Sequence, residues 1–178
     1  MTSCIIPARG GSKRIPRKNI KDFWGVPIIA YSIQTALRYG FDIVAVSTDD
    51  DEIADVSRSY GAEVLRRSDR NSTDEATDYD VLTEVLRYVH ADYLLYLYPV
   101  APMVTNRDLR SAHNMCLSGL FPVVAAKGEF YWIDVQQLTP NGYYHPHMIR
   151  DEYDVDTAED WEQLRVTYAV RFVHEGGA

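Results

Sequence analysis

The sequence predicts an α/β fold with a mostly parallel central sheet. Short apolar segments rich in β-branched residues alternate with segments of about 10 to 15 residues that carry helical apolar spacing. A glycine-rich basic segment follows the first apolar segment, and a proline-interrupted segment at 98–102 follows a later one. Because ligands bind beyond the carboxyl ends of strands in such sheets, we expect a functional site where these two segments meet.

The predicted strands are short and bounded by glycine, proline or polar residues. They span residues 3–7, 42–47, 62–65, 92–97 and 121–125, with one more at 129–134. Residues 66–77 are predicted to be a polar loop, and Asn141-Gly142 favours a tight hairpin turn within 139–142. Cys4 lies in the first apolar strand, which predicts a core position.

The predicted helices have apolar residues three or four positions apart, and they span 27–39, 51–60, 78–89, 106–118 and 157–171. Pro27 suits a first turn, and Gly40 suits a helix stop. Asp78 is predicted to cap the third helix. Thr157 and Asp160 have the spacing of a capping box at the start of the last one. Alternating strands and helices of these lengths predict βαβ units.

Composition limits the classes of function. The 178 residues include 18 Lys and Arg and 26 Asp and Glu, which gives a formal net charge of −8. The length suits a single domain, and the acidic balance argues against a nucleic-acid binder. Two cysteines are too few for a disulfide framework, and no apolar run approaches the about 18 residues of a membrane span. The N-terminus lacks an apolar signal core, so we expect a cytoplasmic protein.

Residues 9–21 form a basic segment, because six of the thirteen are Lys or Arg and none is acidic. Gly10 and Gly11 allow backbone N–H groups to approach a ligand, and Ser12 adds a hydroxyl donor. Arg9 and Lys13 bring charge to the same loop, so a triphosphate is a natural ligand. Neither the Walker pattern nor Gly-x-Gly-x-x-Gly is present. The alternative is a surface turn with incidental charge.

Carboxylates cluster at 49–52 and at 151–156. The second cluster and the basic segment could converge on a polyanion and a metal ion. At the first cluster, a ligand role and helix capping by Asp50 are both open. Tyr98 follows a strand and could contact a ligand or pack against its neighbours. Solvated surface patches are the simpler interpretation of both charged clusters.

The segment Ile5–Ile20 (IIPARGGSKRIPRKNI) resembles the opening signature of the nonulosonic acid cytidylyltransferases, which include the CMP-N-acylneuraminate synthetases and the pseudaminic acid cytidylyltransferases. Further stretches resemble the family in the same order, and they are 27–33, 46–50, 61–64 followed by Arg67 and Asp74, 98–102, 130–132 and 154–161. The Phe-Tyr-Trp element at 130–132 is most similar to the pseudaminic branch.

The resemblance implies a three-layer Rossmann-like nucleotidyltransferase fold. It also implies a reaction that couples CTP to an acidic nine-carbon sugar with Mg²⁺, giving a CMP-sugar and pyrophosphate. The residues it implicates in nucleotide binding are Ala8, Arg9, Gly10, Gly11, Ser12, Lys13, Asn19 and Arg67. Asn19 matches a position near the ribose and base, and Arg67 matches one near the cytosine. Arg9 and Lys13 would act catalytically by neutralising charge on the triphosphate.

Asp154 and Asp156 match the family's metal-binding aspartates. In an extended Asp-x-Asp segment both carboxylates point to one side, and carboxylate oxygens suit Mg²⁺. No side chain is singled out as the base for the sugar hydroxyl, which leaves a hydroxide on the metal, Asp156 and solvent as alternatives.

The chain departs from the family in its middle. We expect one nucleotidyltransferase domain over 1–174, with the sugar-recognition and dimerisation insertion reduced around 103–129 and a frayed tail at 175–178. A homodimer is compatible with this organisation. One alternative is a degenerate, inactive CTP-binding or assembly protein of the same fold. Another is a relative that activates a different acidic sugar such as a ketodeoxyoctonate.

Overall fold

A seven-stranded sheet forms the centre of the computed structural model, which describes residues 1–138, 146–150 and 155–173. Its strands are β1 (Thr2–Pro7), β4 (Ile43–Thr48), β5 (Glu63–Arg66), β6 (Tyr93–Leu97), β7 (Val123–Ala126), β8 (Phe130–Asp134) and β9 (His147–Arg150), and β2 (Asp22–Phe23) and β3 (Val26–Pro27) form a separate hairpin. The strand order is β5-β4-β1-β6-β8-β7-β9. Among the described strands of the sheet, only β8 runs antiparallel to its neighbours, so the predicted mostly parallel sheet is confirmed.

Helices cover both faces of the sheet, and they are α1 (Ile29–Tyr39), α2 (Asp51–Ser59), α3 (Asp78–Val85), α4 (Asn106–Leu117) and α5 (Ala158–Tyr168). Successive residues of β1 pack into the two hydrophobic cores on opposite faces of the sheet. Ile6 packs in the core that includes Ile33 of α1 and Leu109 of α4. Ile5 packs in the core that includes Val81 of α3. This alternation produces the predicted three layers.

An aromatic cluster attaches the C-terminal helix to the N-terminal part of the chain. Phe23 of the β2–β3 hairpin contacts Tyr31, Trp161 and Tyr168 edge-to-face, at centroid distances of 5.6, 5.7 and 5.3 Å. Such pairs contribute beyond the area they bury. The cluster fixes the start of α5, and with it Asp156, beside the basic segment.

Several local predictions need correction. The third helix ends at Val85 rather than Val89, and Thr77 caps it in a capping box with Asp80, so Asp78 is not the cap. The β2–β3 hairpin and strand β9 were not predicted from the sequence. The capping box of Thr157 is confirmed, and α5 continues into a π-helical turn over Ala169–Val173. The predicted turn at 139–142 and the tail at 175–178 lie outside the described residues.

The region 103–129 contains α4 and β7, as predicted for a middle segment with one helix and one strand. Cys4 and Cys116 are both buried and unpaired, and Cys4 is in the core as expected. Within the described ranges, no helix has the length and apolar character that crossing a membrane requires.

Candidate active site

A cleft of about 530 Å³ opens at the carboxyl ends of β1 and β6. Its walls include six of the predicted site residues, namely Arg9, Ser12, Lys13, Asn19, Arg67 and Asp156. Ala8 is instead fully buried, and its N–H extends the β1–β4 ladder by donating to Ser47 O at 2.9 Å. The predicted convergence of the basic segment with the segment after β6 is confirmed, because Tyr98 and Pro99 also line the cleft.

The two glycines of the basic segment have different surroundings. The Gly10 N–H donates to Asp49 Oδ1 at 2.9 Å, and a Cβ on Gly10 would lie only 2.5 Å from Asp50 Oδ2. Gly10 therefore serves close packing against the end of β4, and its N–H is already committed. A Cβ on Gly11 would meet no atom within 4 Å, and the Ser12 N–H donates to Gly10 O at 3.0 Å. Gly11 is thus the glycine that faces open space.

The acidic cluster at 49–52 holds the basic segment in place through hydrogen bonds and ion pairs. Asp50 caps α2 by accepting from the Ile53 N–H at 2.9 Å, which confirms the capping interpretation. The same carboxylate accepts hydrogen bonds from both terminal nitrogens of Arg17, and Arg17 also forms an ion pair with Glu52. These bonds, the Arg17 fork foremost, lower the pKa of Asp50 to about 2. Arg17 adopts a left-handed conformation with φ of 55°, which costs energy for a non-glycine residue and is held by this ion pair.

Four cations of the basic segment line the cleft, namely Arg9, Lys13, Arg14 and Lys18. Arg9 Nη1 lies 2.7 Å from Asp74 Oδ1, and Lys13 Nζ lies 2.5 Å from Asp74 Oδ2. The hydrogen bonds from Lys13 and then Arg9 lower the pKa of Asp74. On the other side, Arg14 Nη2 lies 2.7 Å from Asp156 Oδ1, and Lys18 Nζ donates to Val155 O at 2.7 Å. These four cations share two carboxylates, so the wall of the cleft that the basic segment forms carries an excess of positive charge.

Arg67 and Asn19 line the cleft with buried side chains. Arg67 Nη2 donates to Ser47 O at 2.8 Å, and its Nε donates to Ser47 Oγ at 3.2 Å. Burial lowers the pKa of the guanidinium, but an arginine remains charged. The Asn19 side-chain amide donates to Arg9 O at 3.0 Å and so fixes the backbone of the basic segment.

A tyrosine–carboxylate group forms another part of the wall. The hydroxyl of Tyr96 donates to Asp78 Oδ1 at 2.9 Å, and the hydroxyl of Tyr98 donates to Asp78 Oδ2. Burial, and then the neighbouring carboxylate, raises the pKa of both tyrosines, so both phenols remain protonated donors. Tyr131 packs 6.1 Å from the Tyr98 ring. Asp78 was not predicted as a site residue, because its carboxylate was expected to cap the third helix.

The predicted metal pair is only partly visible, because Asp154 lies outside the described residues. Asp156 presents its carboxylate to the cleft beside Arg14. No cluster of three or more histidine, cysteine or acidic side chains suited to a metal occurs in the described ranges. Mg²⁺ commonly takes one or two carboxylates and completes its shell with phosphates and water, so Asp156 fits as such a ligand.

A mostly parallel sheet, a cationic loop after its first strand and a cleft at the strand ends are typical of nucleotide-binding α/β proteins. The chain belongs to the cytidylyltransferase family, whose model matches residues 3–169.

The curated relatives are consistent with this membership. The pseudaminic acid cytidylyltransferase of Campylobacter jejuni is 41% identical over 134 residues, covering 71% of this chain and 58% of the relative. The N-acylneuraminate cytidylyltransferase B of Danio rerio is 35% identical over 140 residues, covering 76% and 33%. The CMP-N,N'-diacetyllegionaminic acid synthase of Legionella pneumophila is 36% identical over 115 residues, covering 61% and 50%. The matches thus span little more than half of the length of these relatives, or less.

Solved structures confirm the nucleotidyltransferase fold. A CMP-2-keto-3-deoxy-manno-octonic acid synthetase complexed with CTP superposes with a TM-score of 0.75 at 20% identity, covering 96% of this chain and 99% of that one. A cytidylyltransferase from Leptospira borgpetersenii superposes with a TM-score of 0.71 at 17% identity, covering 96% and 87%. At such identities the likeness concerns the fold.

Proposed function

We propose that the protein is a cytidylyltransferase that couples CTP to a nonulosonic acid of the pseudaminic or sialic type. The observation that carries this proposal is the cationic wall of the cleft, formed by Arg9, Lys13, Arg14 and Lys18 in a chain of the cytidylyltransferase family. The named activities of the relatives from Campylobacter jejuni and Danio rerio support the choice of substrates. An inactive CTP-binding protein of the same fold is the less favoured alternative.

The proposed reaction is an in-line displacement at the α-phosphorus of CTP. The anomeric hydroxyl oxygen of the sugar acid forms a bond to the α-phosphorus while the bond to the bridging oxygen of the β-phosphate breaks. The hydroxyl proton goes to solvent, and pyrophosphate leaves with the electron pair. Arg9 and Lys13 are the proposed catalytic residues, because cations beside the β- and γ-phosphates stabilise the charge that develops on the leaving group.

The nucleotide is proposed to lie along the basic segment with its base towards Arg67. Gly11 and Ser12 border the phosphates, and Gly10 and Ala8 support them from beneath by packing against the end of β4. Asn19 holds the Arg9 carbonyl and lies near the ribose. The Arg67 guanidinium, fixed by Ser47, is suited to hydrogen-bond a base carbonyl because its donors have a rigid fork geometry.

Mg²⁺ is proposed as the metal cofactor, held by Asp154 and Asp156 together with phosphate oxygens. When bound, the ion would offset negative charge on the phosphates and orient them. One structure with the same fold, from Mycobacterium tuberculosis, is a complex with manganese (TM-score 0.62, 16% identity, covering 93% of this chain and 98% of that one). Retained turnover in the double variant Asp154→Ala with Asp156→Ala would overturn this assignment.

The acceptor is proposed to enter beside Tyr98 and Asp78, which line the same cleft. The phenol oxygens and the Asp78 carboxylate can accept hydrogen bonds from the hydroxyls of a sugar, and the aromatic rings offer a surface for its apolar face. A ketodeoxyoctonate is the second acceptor to test, because the same fold occurs in a synthetase for that sugar.

The proposal also covers organisation. We propose one catalytic domain over 1–174 that acts in the cytoplasm, where its two unpaired cysteines suit a reducing compartment. We also propose a homodimer, with Leu117 at the end of α4 and Leu120 just after it, 49% and 76% exposed, as candidate contacts. Light scattering coupled to gel filtration would measure this state.

A pyrophosphate-release assay tests the function. CTP, Mg²⁺ and a panel of pseudaminic acid, sialic acid and ketodeoxyoctonate are offered to the wild type, Lys13→Ala and Arg9→Ala. We expect release with a nonulosonic acid and a loss of about a hundredfold in each variant, as for removal of one charge-stabilising group. Arg58→Ala, which breaks the surface pair with Asp55, is the control and should stay within about twofold. No release with any acceptor, together with CTP binding, would favour the inactive alternative.

A further inference from the structure

Asp74 closes the side of the cleft that faces the basic segment. It lies between β5 and α3, outside both elements. The chain is anchored before it, where the Asn71 side-chain amide donates to Glu84 at 2.8 Å, and after it, where Thr77 and Asp80 form the capping box. Asp74 is therefore presented by a short segment with fixed ends.

The carboxylate of Asp74 divides its oxygens between two cations of the proposed phosphate site. Oδ1 pairs with Arg9 at 2.7 Å, and Oδ2 pairs with Lys13 at 2.5 Å. A phosphate group offers oxygens of the same kind to the same donors, because both anions accept charge-assisted hydrogen bonds. Asp74 thus makes the contacts that a β- or γ-phosphate would make.

A bound anion could replace Asp74 in these ion pairs at little cost in stability. The side chains of Arg9, Lys13 and Asp74 are 36%, 80% and 44% exposed, and ion pairs this open to solvent contribute little to stability. A triphosphate carries several negative charges and competes well for two cations that share a single carboxylate. It would also repel Asp74 from the same position.

We propose that Asp74 is an internal competitor for the phosphate site, displaced from Arg9 and Lys13 when the nucleotide binds and returning to them as pyrophosphate leaves. The inference rests on the proposed function, because it requires a polyphosphate in this cleft. The carboxylate keeps the two cations ordered between turnovers, lowers the affinity for polyphosphates and favours product release.

The competing role and an orienting role predict opposite signs. If Asp74 only oriented Arg9 and Lys13 for the nucleotide, its neutralisation would weaken polyphosphate binding. If it competes, its neutralisation strengthens that binding. Neither role changes the binding of cytidine, which has no phosphate.

The test is calorimetric titration of the wild type, Asp74→Asn and Asp74→Ala with tripolyphosphate, pyrophosphate and cytidine. We expect both variants to bind tripolyphosphate and pyrophosphate about threefold to tenfold more tightly, the size expected from two exposed ion pairs. Cytidine affinity should be unchanged. Asp55→Asn, which breaks the exposed pair with Arg58 away from the cleft, is the matched control and should match the wild type.

Unchanged or weaker tripolyphosphate binding in both variants would overturn the inference, as would an equal gain for cytidine. Failure of the wild type and the variants to bind tripolyphosphate would overturn the inference and the proposed phosphate site together. Tighter tripolyphosphate binding in a protein that releases no pyrophosphate from CTP would uphold the role of Asp74 and reject only the transferase activity.

Discussion

Asp50 connects the stability of the fold to the shape of the phosphate-binding loop, and its removal should be measurable. The carboxylate caps α2 through the Ile53 N–H, pairs with the Arg17 fork and packs against Gly10. Asp50→Asn keeps a good capping residue and removes the charge, whereas Asp50→Ala removes both. The two variants therefore separate the ion pair from the cap.

The magnitude follows from the pKa of Asp50 and from its exposure. A pKa of about 2 in place of 3.8 corresponds to about 2.5 kcal/mol of stability, since a tenfold change in proton affinity is worth about 1.4 kcal/mol. The Asp50 side chain is 19% exposed but Arg17 is 39% exposed, so solvent screening reduces the expected loss in Asp50→Asn to about 1 to 2 kcal/mol. Losing the cap in Asp50→Ala should add about 1 kcal/mol.

The pH dependence has a defined sign. A carboxyl whose pKa is depressed by folding stabilises the protein above its unfolded pKa, and that contribution is lost as pH falls from about 4 towards 2. Urea unfolding followed by tryptophan fluorescence at pH 7 and at pH 3 would measure this change. The gap between the wild type and Asp50→Asn should narrow at pH 3. A gap at pH 7 no larger than that of Asp55→Asn, or one that is constant with pH, would refute the reasoning.

Two further predictions concern the glycines and a partly buried histidine. Gly10→Ala should lower the unfolding free energy by about 1 to 3 kcal/mol and weaken CTP binding, because its Cβ would lie 2.5 Å from Asp50. Gly11→Ala should change the unfolding free energy by less than about 0.5 kcal/mol. Thermal unfolding of both variants and the wild type would measure the difference. His113 stacks on Trp132 at 4.1 Å, and burial lowers its pKa below 6.5, so it stabilises the fold when neutral. Stability should therefore fall as pH drops below 6.5, and His113→Phe should flatten the melting temperature over that range.

Local sequence patterns predicted most of the fold because they act over short distances. The strand and helix positions follow from apolar periodicity, and the cleft at the strand ends follows from the parallel sheet. The antiparallel strand β8 depends on the turn before it, where Gly128 adopts a φ of 70°. Its orientation depends on pairing with β6, which is distant in the chain.

The roles of two residues of the cleft were not predicted, because both residues act through partners that are distant in the chain. Asp74 lies 61 positions from Lys13, and Asp78 lies 18 and 20 positions from its two tyrosines. One signal was available for Asp78. Thr77 with Asp80 has the same Thr-x-x-Asp spacing as the capping box that starts α5, and recognising it would have freed Asp78 for another role.

³¹P nuclear magnetic resonance measures directly whether the protein transfers the cytidylyl group of CTP to a nonulosonic acid, as we propose. With CTP, Mg²⁺ and the acceptor, we expect the three CTP resonances to be replaced by the phosphodiester resonance of a CMP-sugar and the resonance of pyrophosphate, with the two products in equal molar amounts. In Lys13→Ala the conversion should slow by about a hundredfold. Unchanged CTP with every acceptor, or conversion to free CMP without a phosphodiester resonance, would contradict the proposed function.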